Sequence, residues 1–200
     1  MSAPKTLLAL AGAPNEPPPL TESAVVVIDA QREYVDGALP LPGVAAALGH
    51  IAGLLRRARK AGAPVIHVRH IGRAGGLFDP GAPRGAFADE AMPAPGEAIV
   101  GKALPNAFAG TDLAEVLTRT GKRNIVVCGF MTHMCVSSTV RAALDLAYRT
   151  VVPAAATATR DLPDAVTGAT ITAAALQAAS LAALSDRFAT VVTDDSRIAG

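Results

Sequence analysis

Cysteine is scarce in this chain: 200 residues carry two, Cys128 and Cys135, seven positions apart and outside any C-x-x-C spacing. That excludes a disulfide framework and a zinc site, and it points to a reduced, cytoplasmic protein. An excess of one charge is equally lacking. The net charge is +1, and the basic residues are scattered apart from RRARK at 56–60, a solvated helix face, so nothing marks a nucleic-acid footprint. No apolar run is long enough to span a membrane, and no internal repeat is present. The early KTLLALAGAP segment has only Lys5 ahead of a brief apolar stretch, too little for a secretory signal. What is present in quantity is hydrophobic residues, 50% of the total, enough to bury the core of one domain without disulfides or metal.

Short apolar runs rich in β-branched residues alternate with helical patterns along the chain. Strands are predicted at 24–29 (AVVVID), 64–69, 97–102, 124–129, 150–154 and 189–193, and helices at 44–61, 112–120, 136–149 and 164–183. This alternation predicts an α/β three-layer sandwich, a six-stranded, mostly parallel sheet with helices on both faces. Residues 1–20, which contain PNEPPPL at 14–20, read as an extended Pro-rich arm suited to lie on a neighbouring subunit, and 21–200 as one domain. From Ile71 to Glu97 the chain is rich in Gly, Pro and Ala and reads as a long irregular loop with a short helical turn; such loops are usually functional. Arg73 and Arg84 stand in it as candidates to meet a substrate carboxylate, and Gly75-Gly76 as the hinge of a lid.

The stretch GFMTHMCVSST at 129–139 places Cys135 at the junction of a buried strand and a helix. Unpaired N–H groups and the helix dipole favour an anion there, so the expectation is a depressed thiol pKa and an oxyanion site at one position. Right-handed crossovers bring the carboxyl ends of parallel strands to one edge, where ligands bind. Asp29, Lys102 and Cys135 all follow such ends. Singly, Asp29 reads as a strand-end cap and Lys102 as a solvated lysine. Together they supply a base for the thiol and a cation that keeps the carboxylate charged while favouring the thiolate. Cys128, inside a strand, reads as a small core residue. His67 and His70 lie three apart on a strand and point to opposite faces, so no metal is expected. Gln31, Tyr34, Phe108, Phe130, Met131 and Met134 fall beside the strand ends as candidate walls of a small pocket. Core packing is the alternative for the Phe and Met residues. His133 is either a pocket donor or an exposed loop residue.

Four motifs together resemble the isochorismatase-like cysteine hydrolases, which include nicotinamidases, N-carbamoylsarcosine amidases and ureidoacrylate or biuret hydrolases. They are VVVIDAQREY (25–34), PVIHVRH (64–70), GKALPNAFAGTDL (101–113) and GFMTHMCVSSTVRAALDLAYR (129–149), and the resemblance covers nearly everything after residue 20. It implies sheet order 3-2-1-4-5-6, a homodimer or homotetramer, and a catalytic triad of Asp29, Lys102 and Cys135. It also implies a cis peptide at Phe130-Met131 and an oxyanion hole made by the backbone N–H groups of Met131 and Cys135. The implied chemistry is cleavage of a C–N bond in a small amide, ureide or carbamoyl compound through a thioester, without a cofactor. Two alternatives stay open: vinyl-ether hydrolysis, which needs an acid but no thiol, and a non-catalytic binding role. The chain departs from nicotinamidase-like relatives in carrying HVRH in place of their Asp-x-His metal pair, which argues against nicotinamide as substrate. Asn106 stands where many relatives have Ser.

Overall fold

Runs such as AVVVI leave no polar stripe, and strands of that kind are stable only when both faces of the sheet are covered. The computed structural model, which describes residues 3–200, provides that cover. β1 (Ser23–Ile28), β2 (Val65–His70), β3 (Ala98–Lys102), β4 (Asn124–Phe130) and β5 (Arg149–Pro153) are followed by three short strands and a last long-range one. These are β6 (Thr157–Ala158), β7 (Leu162–Pro163), β8 (Thr170–Ile171) and β9 (Thr190–Val192). The sheet runs β3-β2-β1-β4-β5-β9, with every pairing parallel, which is the expected order. A seventh strand, β6, continues alongside the end of β4, so the expected count of six is one short.

Alternation along β1 sets the layers. Val25 and Val27 face α2 (Val44–Lys60), whose Leu48, Ile51, Leu54 and Leu55 are buried against them. Ala24, Val26 and Ile28 face the other side, against α3 (Leu113–Thr120), α4 (Ser137–Asp145) and α5 (Ala173–Arg187). Cys128 lies wholly buried in the first of these cores, as its strand position predicts.

Three elements differ from expectation, each because a side chain or a distant backbone group captures local hydrogen bonds. The helix expected at 164–183 begins at Ala173. Asp164 Oδ1 accepts the N–H groups of Val166 and Thr167 at 2.8 and 2.9 Å, making a turn that leads into the antiparallel β7–β8 pair, and Thr172 then caps the helix. The helix expected to reach residue 149 stops at Asp145, since the Arg149 N–H is taken by the Arg123 carbonyl at 2.9 Å and β5 starts there. The arm expected to be extended contains a helical turn, α1 (Leu7–Leu10), capped by Thr6. Asp186 accepts the Leu7 N–H at 2.8 Å, and Arg149 donates to the Pro14 and Glu16 carbonyls, so the arm lies on its own chain.

Gly129 is the backbone position on which the site end of β4 depends. It pairs with Ile28, has φ of 110°, and a Cβ added to it would stand 1.9 Å from the Ile28 carbonyl oxygen. Gly129→Ala is therefore expected to destabilise the fold by more than about 4 kcal/mol, an exceptional single-residue cost. Thermal unfolding measures it, and a melting temperature within a few degrees of the parent would refute it.

Candidate active site

Each of the three strand-end residues is delivered by a different local device. Asp29 follows β1 with φ of 48°, a left-handed turn that Asp tolerates better than most residues. Its N–H bonds the Val68 carbonyl and its own carbonyl accepts the Gln31 N–H, at 2.8 and 2.7 Å, which fixes the turn. Lys102 ends β3 in register with His70 of β2. Cys135 lies in a π-helical turn, Thr132–Val136, between β4 and α4, and the Phe130-Met131 bond that precedes the turn is cis. The Met131 carbonyl accepts the N–H groups of Met134 and Val136, and Thr132 donates to the Ala158 carbonyl at 3.1 Å, tying the turn to β6.

The three side chains meet. Lys102 Nζ lies 2.7 Å from Asp29 Oδ2, with both side chains wholly buried, and donates to Cys135 Sγ at 3.3 Å. The 2.7 Å contact pairs the Asp29 carboxylate with the Lys102 ammonium through Oδ2, and the Cys135 thiol also acts on that carboxylate as a hydrogen-bonding neighbour. Burial raises the Asp29 pKa above the ordinary carboxylate value, and Lys102 and the Cys135 thiol offset only part of that rise.

The sulfur departs from the expected depressed pKa. Burial first, and the Asp29 charge second, push the Cys135 thiol up to about 12 against the pull of Lys102. The physical reason is the absence of water: removing solvent from a thiolate beside a carboxylate costs more than one ammonium returns. The resting group is thus a neutral thiol next to a base, and the proton must leave during attack.

The surrounding candidates divide into several kinds. Gln31 is a clamp: its Nε2 donates to the His70 and Gly85 carbonyls and its Oε1 accepts the His70 N–H at 2.8 Å. Tyr34 and Phe130 pack edge-to-face with centroids 5.8 Å apart in the core beneath the site. Phe108 stacks on Tyr148 with centroids 6.1 Å apart and reads as packing. Met134 is exposed, and Met131 is buried. His133 Nδ1 bonds Thr159 Oγ1, while its Nε2 is buried without a partner; burial, then Arg160, lower its pKa, so it is a neutral ring with an unused nitrogen. Asn106 shapes its own turn by accepting the Phe108 N–H at 2.9 Å.

Arg84, one of the two candidates to meet a substrate carboxylate, is engaged by its own loop and by Glu33. It donates to the carbonyls of Gly75 and Gly76 and faces Glu33 at 3.6 Å, so it ties down the loop expected to move. Glu33 escaped notice in the sequence, yet it is wholly buried and also accepts the N–H groups of Ala38 and Phe78 at 2.7 and 2.8 Å. Arg73, by contrast, is exposed. His67 and His70 do point apart. His67 bonds Glu97 Oε2 at 2.8 Å, in a cluster closed by Arg59, while His70 Nδ1 lies 3.3 Å from Lys102 Nζ.

A second residue missed in the sequence is Arg160. It follows β6 by two positions, at the carboxyl edge where Cys135 sits, and its charge acts on both Tyr34 and His133. Its Nε is buried without a hydrogen bond, and it makes no ion pair among the described residues. The strand-end rule would have found it had β6 been recognised as a strand. Among the described residues no helix is long and apolar enough to cross a membrane.

The family model for the Isochorismatase domain matches residues 23–196. A secreted isochorismatase effector of Verticillium dahliae is 38% identical, over 91% of this chain and 93% of that protein. A maleamate amidohydrolase of Pseudomonas putida is 32% identical, over 64% of this chain and 68% of that protein. The crystal structure of an isochorismatase from Pseudomonas putida KT2440 superposes with a TM-score of 0.93 at 42% identity, covering 98% of this chain and all of that one.

Proposed function

The chain belongs to the isochorismatase family of hydrolases, and on that premise we propose that it cleaves a C–N bond of a small amide, ureide or carbamoyl compound through a thioester on Cys135. One observation carries this reading: a single buried ammonium, Lys102, touches both the Asp29 carboxylate and the Cys135 sulfur, at 2.7 and 3.3 Å. Asp29 takes the S–H proton as sulfur attacks the carbonyl carbon, and the C=O electron pair moves to oxygen, held by the N–H groups of Met131 and Cys135. Lys102 balances charge throughout. The C–N bond then breaks, and Asp29 returns its proton to the departing nitrogen, leaving the thioester. Water next gives a proton to Asp29 and attacks the acyl carbon; the acid leaves, and the proton goes back to sulfur.

Arg160 supports a narrower class, amides that also bear a carboxylate. A guanidinium with a buried, unbonded Nε beside the site lacks a partner that an anionic substrate would supply. Arg160→Gln is expected to raise KM for such a substrate by about 10- to 100-fold and to leave neutral amides unaffected. Equal losses on both would remove this role. The broader reading is tested by ammonia release across primary amides, ureides and carbamoyl amino acids, with Cys135→Ala as control. Release from none of them by the parent enzyme would overturn it.

The small-molecule substrate is taken to be the ligand, with neither nucleic acid nor membrane as partner and no cofactor. A homodimer or homotetramer is supported by α5, whose Ala174, Ala175, Ala178, Ala179, Ala182 and Ala183 form an exposed apolar face. Two free thiols support a reduced, cytoplasmic setting.

A further inference from the structure

Lys102 has a third neighbour that the chemistry above leaves unused. Its ammonium carries three protons and has three close neighbours, Asp29 Oδ2 at 2.7 Å and Cys135 Sγ and His70 Nδ1 both at 3.3 Å. His70 is held through both its backbone and its ring. Its backbone is clamped by Gln31 at both N–H and carbonyl, and its face meets Phe78 edge-on with centroids 5.0 Å apart.

We propose that His70 is a positioning residue: by accepting one ammonium proton at Nδ1, it aims the remaining protons of Lys102 at the Cys135 sulfur and away from full capture by Asp29. Accepting at Nδ1 requires the ring proton to sit on Nε2, so one tautomer of the neutral ring performs the task. Burial, then the Lys102 charge, lower the His70 pKa and keep the ring neutral. The titratable group facing the ring is Lys102 from β3, whose ammonium in turn meets Asp29 after β1 and Cys135 from the π turn; Gln31 and Phe78 are uncharged. Without His70 the ammonium can swing onto both Asp29 oxygens, which quenches the base and leaves the developing thiolate without its donor.

The proposal rests on Lys102 and Cys135 acting as one reacting unit, and its test is chosen to stand apart from substrate identity. Iodoacetamide alkylation of Cys135 is followed against pH in the parent and in His70→Phe, which keeps the packing on Phe78 but removes the acceptor. The same is done with His70→Asn, which returns an acceptor oxygen near the place of Nδ1. His70→Leu replaces the Phe variant should that one fail to fold. The expected result is alkylation slowed by about 10-fold at each pH between about 7 and 10 in the Phe variant, a lowered rate profile, and near-parent behaviour in the Asn variant. On any amide that the parent hydrolyses, kcat should fall by about 10- to 100-fold in the Phe variant with KM within about threefold. A Phe variant with the parent's alkylation profile overturns the proposal, as does an Asn variant as impaired as the Phe one. A lowered profile in a protein that hydrolyses no amide would instead sink the hydrolase reading and leave the role of His70 standing.

Discussion

Cys135→Ala is expected to lower turnover by about 10⁴-fold or more, because removing a covalent nucleophile deletes the intermediate rather than weakening a contact. The sulfur lies beside Lys102 and Asp29 in one core, and Cys128 is buried on the opposite face of the sheet. The burial that gives Cys135 a pKa of about 12 also means that the variant loses a neutral group, so folding should change little. Matched thermal unfolding curves with lost ammonia release are the expected pair of results. Mass spectrometry of the parent, quenched during turnover, should show one acyl group on the Cys135 peptide. Full activity in Cys135→Ala would select vinyl-ether chemistry, in which Asp29 serves as the acid and sulfur is a bystander.

Lys102→Met should cost both activity and stability. Asp29 already has a raised pKa with the ammonium 2.7 Å away; without it, the buried carboxyl rises further and is protonated over more of the working range. A protonated Asp29 cannot accept the thiol proton, so turnover near pH 7 should fall by about 10³-fold or more. Breaking one partner of a buried pair typically costs about 3–5 kcal/mol.

The sign of its pH dependence follows from linkage. A carboxyl whose folded pKa exceeds its unfolded value binds more protons folded than unfolded. Stability is therefore full below the unfolded value and declines as pH rises through the window between the two. Lys102→Met moves the upper edge of that window higher. The melting-temperature gap between parent and variant should thus widen with rising pH and narrow toward acid, where Asp29 is neutral in both. A gap that is constant with pH would mean that Lys102 acts through packing of its stem alone.

Much of the molecule was legible in the residues. Local periodicity sufficed for the α/β class, for α2 and for the principal strands, since a strand buried on both faces must be apolar throughout. The motifs around Asp29, Lys102 and Cys135 carried the site, along with the sheet order and the cis bond that the resemblance implied. The 164–172 segment was misread because Asp164 and Thr172 spend their side chains on backbone N–H groups, a choice that helical composition does not reveal. Arg84 looked like a free loop cation because Glu33, its partner, lies 51 positions earlier in sequence.

The sequence by itself determined the principal strands, α2 and which three residues arrive at one edge, because hydrophobic spacing and strand-end position are written locally. Only the tertiary structure decided the raised pKa values at that edge, the setting of His70 and, among the described residues, the unbonded Nε of Arg160. Those properties come from excluded water and from contacts between segments far apart in the chain, and both come into being only when the layers close.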